Sequence, residues 1–372
     1  MTNPSPHDQD GAPPSEDAPA PPAALRQLQE RIDAALVREL QGPLDRLTAS
    51  SPVMAAPATA LQDFLADGKR LRPALLLLGY QAAGGTDLAA VEGPALALEL
   101  LHTCALLHDD VIDRAPTRRG RPTVHTRFAA QHREAGWSGD ADGYGEAVAI
   151  LLGDLAFVYA DELFLGADVP HDRLLDAFRR FTHLREEVMV GQTLDLHVAA
   201  ARETSREAAL RIALLKSGRY SVTRPLQVGA VLAGGSADLV DGLRAYGDPV
   251  GIAFQLRDDY LGVFGESEET GKSRTSDLVE GKRTLLVAET YERADAAGRE
   301  LLDRHLGDPD LRDEDAAHIR RTMGLSGAVS AVEARRFNGT QEALDALARL
   351  ALPAQVHDTL EDLANWVGQR RS

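Results

Sequence analysis

The stretch LLHTCALLHDDVIDRAPTRRGRPTVH (residues 100–125) sets the fold class and raises a question about buried charge. Its first half is an apolar run with the spacing of a buried helix. Three aspartates, Asp109, Asp110 and Asp113, stand at the end of that run. On a helix Asp109 and Asp113 share one face and repel each other, because they are four residues apart. The motif predicts either a solvated helix end or a cation held between carboxylates.

A second acidic motif lies in FQLRDDYLGVFG (residues 254–265), again after an apolar helical run. Gln255, Asp258 and Asp259 stand at i, i+3 and i+4, so they share one helix face. Two aspartate pairs at the ends of two apolar helices favour a clamp across a bundle over two solvated helix ends. Oxygen ligands without nearby cysteine or paired histidine suit Mg²⁺, which also takes water and phosphate. The sequence therefore predicts Mg²⁺ bound around a diphosphate.

The rest of the chain has the pattern of an all-α protein. Segments such as LQERIDAALVREL and SREAALRIALLKSGRYSV carry apolar residues at helical spacing, and alternating strand patterns are absent. Residues 131–145 are polar and predict a surface loop. Residues 1–22 are rich in proline, alanine and acidic residues, which predicts a disordered tail. Residues 23–372 then form one domain, a single large helical bundle.

Composition narrows the function classes. Of 372 residues, 57 are acidic and 40 basic, and the formal net charge of −17 disfavours nucleic acid as a partner. The single cysteine, Cys104, predicts a reducing cytoplasm. No stretch approaches about 20 uninterrupted apolar residues, so we expect no stable membrane insertion.

Lysine is scarce, since the basic residues are 36 arginines and only four lysines. The lysines are Lys69 in GKRLRP, Lys216 in LKSGRYS, Lys272 in TGKS and Lys282 in EGKRT. Lysine is a compact point charge that suits a single phosphate oxygen, whereas the guanidinium of arginine is a broad fork. The four lysines therefore predict contacts to phosphate.

Taken together, these motifs resemble those of the trans-isoprenyl diphosphate synthases, the polyprenyl synthetase family. The resemblance runs from about Leu61 to Leu285 and, in order, covers GKRLRP, HTCALLHDDVID, RRGRPTVH, LLGD, GQTLDL, LKSGRYS, QLRDDYLGVFG, TGKS and DLVEGKRT. Within this family, the motif sequences resemble those of bacterial geranylgeranyl diphosphate synthases. The resemblance implies a bundle around a deep central cavity, a homodimer and three Mg²⁺ ions per active site. It also implies head-to-tail condensation of an allylic diphosphate with isopentenyl diphosphate, releasing pyrophosphate.

The same resemblance assigns roles to residues. The Mg²⁺ ligands would be Asp109, Asp110, Asp113, Asp258 and Asp259. The allylic diphosphate would be held by Arg118, Lys216, Lys272 and Lys282. Isopentenyl diphosphate would be held by Lys69, Arg72, His102 and Arg119, with Gln255 nearby. Polar support of the cavity, or helix packing, would be the role of Asp154, Gln192 and Asp195. Many family members carry a third aspartate at the position of Gly262, so the second motif of this chain keeps two carboxylates.

Product length depends on the side chains below the first motif, because the product would grow downward between helices. Cys104 and Ala105, about one helical turn below Asp109, are both small and leave room for a C15 chain. Deeper residues that could close the cavity are Leu101, Phe157 and Phe164. A floor at that depth predicts geranylgeranyl diphosphate, C20, as the product. The C15 product and products of C25 or longer are the alternatives.

Two other function classes compete with a synthase. A terpene cyclase would share the bundle and an aspartate-rich motif, but it binds one diphosphate and has no need of GKRLRP or RRGRP. A non-catalytic subunit of a prenyltransferase heteromer typically loses carboxylates, whereas this chain keeps both aspartate pairs. The sequence therefore favours a catalytic synthase.

Overall fold

The computed structural model describes residues 22–265 and 275–369, and the predicted tail lies outside them except for Pro22. The described residues form a helical bundle, which confirms the predicted all-α class. The first ten helices are α1 (Ala23–Ser50), α2 (Ala55–Ala66), α3 (Leu71–Ala82), α4 (Glu92–Ile112), α5 (Val124–Glu134), α6 (Ala141–Leu165), α7 (His171–Ala201), α8 (Arg206–Ile212), α9 (Arg224–Leu232) and α10 (Ala237–Phe264). The later helices are α11 (Ser276–Val279), α12 (Leu285–Arg293), α13 (Ala296–His305), α14 (Asp313–Leu325), α15 (Ala328–Leu347) and α16 (Ala354–Gln369).

Shorter elements connect the helices. Two 3₁₀ turns are Pro52–Met54 and Leu88–Val91, and a π-helix, Ala213–Thr223, joins α8 to α9. After α4 the chain forms an antiparallel hairpin of β1 (Thr117–Arg118) and β2 (Arg121–Pro122).

The loop between α5 and α6 is shorter than predicted and covers only residues 135–140. The side chain of Asp140 accepts hydrogen bonds from the backbone N–H groups of Asp142 and Gly143, which starts α6 at Ala141. The ring of Trp137 packs edge-on against Tyr144, with 5.5 Å between ring centroids. The polar composition of the segment concealed this cap and this aromatic contact.

Helix α4 lies in the centre of the bundle. Leu96, Leu98 and Leu100 on this helix are fully buried. Among the described residues, the stretch Leu88–Ile112 is long and apolar enough to cross a membrane, but 72% of its most apolar window is buried inside the protein. The apolar composition of this stretch is therefore explained by its burial in the core of the bundle.

Helix α6 packs closely along α4 because glycines stand at the contact. A Cβ atom at position 153 would lie 2.3 Å from Nε2 of His108, and one at position 93 would lie 2.3 Å from the carbonyl oxygen of Leu163. Only Gly93 and Gly153 allow the two helices to approach this far. Their contact fixes the orientation of α4 and hence of the first acidic motif at its end.

Two apolar clusters meet along α10. The larger cluster joins α1, α3, α4, α6, α7, α9 and the first part of α10. The smaller cluster joins the last part of α10, through Leu256 and Val263, to α11–α15. The second acidic motif lies on this last part of α10, so both clusters hold it in place.

Candidate active site

A cleft of about 440 Å³ opens between α4, α7, the π-helix, α10 and the segment around α11. Both acidic motifs reach it, through Asp109 on α4 and through Asp258 and Asp259 on α10. Three of the four lysines also line it, namely Lys69, Lys216 and Lys282. Lys272 lies outside the described residues. The structure thus brings together, in one cleft, groups that lie more than a hundred residues apart in sequence.

The first motif sits where α4 ends. Asp113 follows the last residue of α4, and its N–H donates to the carbonyl oxygen of Asp109 at 2.8 Å, which keeps the helical spacing of the two carboxylates. Burial and the neighbouring carboxylates of Asp109 and Glu280 raise the pKa of Asp113 to about 6. On α7, Gln192 donates to Oδ1 of Asp109 at 2.9 Å. Gln192 therefore orients the carboxylate that faces the cleft.

Asp110 has a different environment from its two neighbours. It is 2% exposed, and both of its carboxylate oxygens accept hydrogen bonds from Nε of Arg118, at 2.8 and 2.9 Å. Asp110 is absent from the described lining of the cleft, whereas Arg118 is part of it. This geometry places Asp110 where it can orient Arg118, and the metal-ligand role of Asp110 stays a prediction.

The second motif is partly withdrawn from solvent. Asp259 is buried, and Gln255 donates to its Oδ1 at 2.6 Å. Burial, followed by the nearby carboxylates of Asp277 and Asp258, raises the pKa of Asp259 to about 7, although the bond from Gln255 opposes this shift. Gln255, predicted near isopentenyl diphosphate, thus holds a carboxylate of its own helix. Burial disfavours the ionised form of a carboxyl group, and a cation bound beside the group favours that form.

Lys216 is presented to the cleft by the π-helix. A Cβ atom at position 191 would lie 2.4 Å from the backbone nitrogen of Lys216, so Gly191 lets α7 approach this segment. The Nζ of Lys216 lies 2.6 Å from Oδ2 of Asp195 on α7. Burial alone would lower the pKa of Lys216, but the carboxylates of Asp195 and Asp109 raise it, so the side chain is protonated.

Lys282 follows α11 and is partly buried among carboxylates. Its Nζ lies 2.7 Å from Asp277 and 2.7 Å from Glu280. The opposing charges outweigh burial and raise the pKa of Lys282. Lys216 and Lys282 are therefore permanent positive charges that face the two acidic motifs across the cleft.

A second group of basic side chains surrounds His102. The guanidinium of Arg72 lies 4.3 Å from the centre of the Tyr220 ring and donates to the hydroxyl of Ser221 at 2.8 Å. Burial and then the charges of Arg72, Arg118 and other arginines hold the pKa of His102 well below its usual range. Arg119 is turned differently, because its side chain donates to the backbone carbonyl of Asp67.

Three polar atoms in this second group are buried without a hydrogen-bond partner among the described residues. They are Nε of Arg72, Nδ1 of His102 and the hydroxyl of Tyr220. Buried polar atoms are rarely left unpaired in folded proteins. Their common position beside several arginines is consistent with a site for an anion.

The residues predicted to set product length divide into two groups. Ala105 and Phe157 are partly exposed. The others are part of the closed core, with exposures of 2% for Leu101, 6% for Cys104 and 0% for Phe164. Phe164 stacks on Phe181 with 4.8 Å between ring centroids, so it belongs to the packed core between α6 and α7.

Arg185 packs against Phe157, a feature that the sequence alone did not reveal. Its guanidinium lies 4.7 Å from the centre of the Phe157 ring and 4.5 Å from that of Phe181. Asp161 accepts a hydrogen bond from it at 2.7 Å. Asp154, one of the predicted cavity supports, is exposed and lies 3.6 Å from His108, away from the acidic cleft.

The donor set of the cleft fits a hard divalent cation. Among the described residues that line it, carboxylates are frequent and neither cysteine nor histidine occurs. Such oxygen ligands, next to lysines that can hold phosphate, are typical of Mg²⁺ sites that keep several water ligands.

Comparison with known proteins agrees with this geometry. An all-α bundle with two aspartate motifs on facing helices belongs to the class of isoprenoid synthase folds. A sequence profile described as polyprenyl synthetase matches residues 55–323. The chain belongs to the polyprenyl synthetase family, whose members transfer prenyl groups.

Individual relatives cover most of this chain. A (2E,6E)-farnesyl diphosphate synthase of Mycobacterium bovis is 33% identical over 310 residues, 82% of this chain and 80% of its own length. A geranylfarnesyl diphosphate synthase of Aeropyrum pernix is 32% identical over 82% of this chain and 91% of its own length. The crystal structure of a geranylgeranyl pyrophosphate synthase from Corynebacterium glutamicum, complexed with isoprenyl diphosphate and magnesium, is 35% identical. It matches with a TM-score of 0.89 over 93% of this chain and 99% of that chain.

Proposed function

We propose that this protein is a Mg²⁺-dependent trans-isoprenyl diphosphate synthase that condenses an allylic diphosphate with isopentenyl diphosphate. The observation that carries the proposal is the single cleft into which both aspartate motifs and two charge-paired lysines project. The similar Corynebacterium glutamicum enzyme, whose structure holds isoprenyl diphosphate and magnesium, supports the choice of ligand. The test is Mg²⁺-dependent release of pyrophosphate by the purified protein from isopentenyl diphosphate and an allylic diphosphate.

In the proposed reaction the carbon–oxygen bond of the allylic diphosphate breaks, and pyrophosphate leaves with the bonding electrons. The allylic cation is attacked by the double bond of isopentenyl diphosphate, a carbon–carbon bond forms, and a proton is lost. Three bound Mg²⁺ ions would neutralise the charge that develops on the leaving group. Asp109, Asp113, Asp258 and Asp259 would hold these ions. Lys216 and Lys282 would bind the non-bridging phosphate oxygens, where fixed positive charge stabilises the transition state most.

The second substrate would use the group around His102. Arg72 and His102 each have an unpaired buried nitrogen there, which a diphosphate oxygen could satisfy. Lys69 lines the acidic cleft and would reach the same diphosphate from its other side. The departing pyrophosphate is the proposed base for the final proton, because no histidine is among the described residues that line the cleft and the carboxylates of both aspartate motifs would be bound to Mg²⁺.

We propose geranylgeranyl diphosphate, C20, as the product. Ala105 leaves room below the first motif, and Phe157, backed by Arg185 and Phe181, supplies a floor deeper in the bundle. Relatives named as C15 and C25 synthases have comparable identity, so those products are the alternatives that the product assay distinguishes. The cytoplasm is the proposed location, in keeping with a single cysteine that is buried.

Metal binding at neutral pH should release protons. Because the pKa of Asp259 is about 7 and that of Asp113 about 6, both carboxyl groups are partly protonated near pH 7 in the absence of metal. A cation requires the ionised forms, so we expect release of about half a proton or more per site at pH 7 and none at pH 9. Calorimetric titration of Mn²⁺ in two buffers of different ionisation enthalpy measures this number.

The variant that tests the source of these protons is Asp259→Asn, which should remove most of the proton release at pH 7. Because the pKa of Asp259 is raised, protons compete with the cation, and affinity for the cation should fall as the pH drops below about 7. Heats that are identical in both buffers at pH 7 would contradict the assignment of these carboxylates to the metal site.

We also propose a homodimer, formed through α6. Leu151, Val158 and Leu165 recur every seven residues along this helix, and their exposures are 61%, 57% and 50%. Such a stripe on a surface helix favours burial against a partner. Light scattering at micromolar concentration should give twice the 40.0 kDa mass of the chain, and Val158→Glu should lower it. A monomeric mass for the unmodified chain would contradict the proposal.

A further inference from the structure

Position 262 lies on the same face of α10 as Asp258, one turn further along the helix. The residue there is glycine, so α10 itself supplies two carboxylates to the cleft and no third. A Cβ atom at this position would lie 1.9 Å from Oδ2 of Asp277 and 2.7 Å from its Cγ. The carboxylate of Asp277 therefore occupies the volume in which a side chain of residue 262 would begin.

Asp277 is held in that volume from two sides. It belongs to the short helix α11, and its backbone carbonyl accepts a hydrogen bond from the N–H of Lys282 at 3.1 Å. Its Oδ1 accepts a second bond from Nζ of Lys282 at 2.7 Å, while Oδ2 is the oxygen that lies over Gly262. Asp277 is 9% exposed and lines the same cleft as Asp258 and Asp259.

We propose that Asp277 is the third carboxylate of the second acidic motif, supplied from α11 through the space that Gly262 leaves free. This inference rests on the proposed function, because it assigns Asp277 to the Mg²⁺–diphosphate site of that function. Asp277 adds a third negative charge beside Asp258 and Asp259, and Oδ1 keeps Lys282 directed toward the same ligand. Glycine at position 262 is then a requirement of the site, since any side chain would displace Asp277.

The test measures binding of inorganic pyrophosphate by calorimetry at a series of Mg²⁺ concentrations. Asp277→Asn keeps the size of the side chain and an oxygen for Lys282, but it removes the charge. We expect this variant and Asp277→Ala to need about tenfold more Mg²⁺ for half-maximal binding, as for partners that support a metal site. Gly262→Ala should have a similar effect, because its Cβ displaces the carboxylate. Gly324→Ala is the matched control, since a Cβ at that helical position meets nothing within 4 Å.

A double variant separates a role at the metal from a role in packing. With Asp277→Ala the space over position 262 is free, so adding Gly262→Asp returns a carboxylate from α10, four residues after Asp258. The double variant should recover most of the lost Mg²⁺ affinity, whereas a residue that served only to pack α11 would not be replaced in this way.

Two results would overturn the inference. One is that Asp277→Asn and Asp277→Ala need a Mg²⁺ concentration for half-maximal binding within twofold of that of the unmodified protein. The other is that the double variant has no higher affinity for Mg²⁺ than Asp277→Ala alone. In either case the unmodified protein would still bind pyrophosphate with Mg²⁺, so the proposed function would stand. Absence of Mg²⁺-dependent pyrophosphate binding in the unmodified protein would refute the proposed function itself.

Discussion

Replacement of Asp109 or Asp258 by alanine is expected to lower turnover at least about a thousandfold, because each would remove a carboxylate from the proposed Mg²⁺ site. The two residues lie on different helices, α4 and α10, and both line the cleft. Loss of either would leave the leaving group without part of its charge neutralisation. The measurement is the rate of pyrophosphate release at saturating substrates and Mg²⁺.

The matched control for these variants is Asp241→Ala. Asp241 lies on the same helix as Asp258, its side chain is 70% exposed, and its ion pair with Arg244 is a weak surface contact of 3.6 Å. We expect its rate to equal that of the unmodified protein. Helical circular dichroism should be unchanged in all three variants, and a near-normal rate in Asp109→Ala or Asp258→Ala would refute the clamp.

Replacement of Lys216 or Lys282 by alanine is expected to lower the rate about a hundredfold and to weaken binding of the allylic diphosphate. Both lysines are paired with carboxylates, so their removal also leaves negative charge where the phosphate should bind. Lys69→Ala should mainly raise the KM for isopentenyl diphosphate. Steady-state kinetics with each substrate varied in turn separates the two effects.

Since all four lysines of the chain belong to the predicted site, an arginine serves as the control. Arg244→Ala removes a basic side chain that is 53% exposed on α10, and it should leave both KM values unchanged. Wild-type kinetics for Lys216→Ala, Lys282→Ala and Lys69→Ala together would show that the point-charge argument is wrong.

Much of the fold could be predicted from the sequence because helical periodicity and the two acidic motifs are local signals. The helix that carries Asp109 and the helix that carries Asp258 are both where the apolar spacing places them. The pairing of Lys216 with Asp195 could not be derived, because the π-helix that presents Lys216 depends on glycines of α7 and α10 that face it across space.

Two features of the site depend on tertiary contacts alone. Asp110 belongs to the same short motif as Asp109, but the hairpin after α4 brings Arg118 against Asp110, and only Asp109 of the two is among the described residues that line the cleft. Asp277 stands fifteen residues beyond Gly262, and only the folded chain shows that one residue fills the space left by the other. Sequence spacing defines which residues share a helix face, whereas these two pairs are defined by how separate elements pack.

The most direct test incubates the purified full-length protein with Mg²⁺, isopentenyl diphosphate and farnesyl diphosphate. Released pyrophosphate is measured, and the products are dephosphorylated and separated by chromatography. We expect one pyrophosphate per product, a dominant C20 alcohol, and no product when Mg²⁺ is removed by a chelator. Extension of shorter primers that stops at C15, or a series of products beyond C25, would show that Phe157 is not the floor that limits the product to C20. Failure to release pyrophosphate from any allylic diphosphate in the presence of Mg²⁺ and isopentenyl diphosphate would contradict the account.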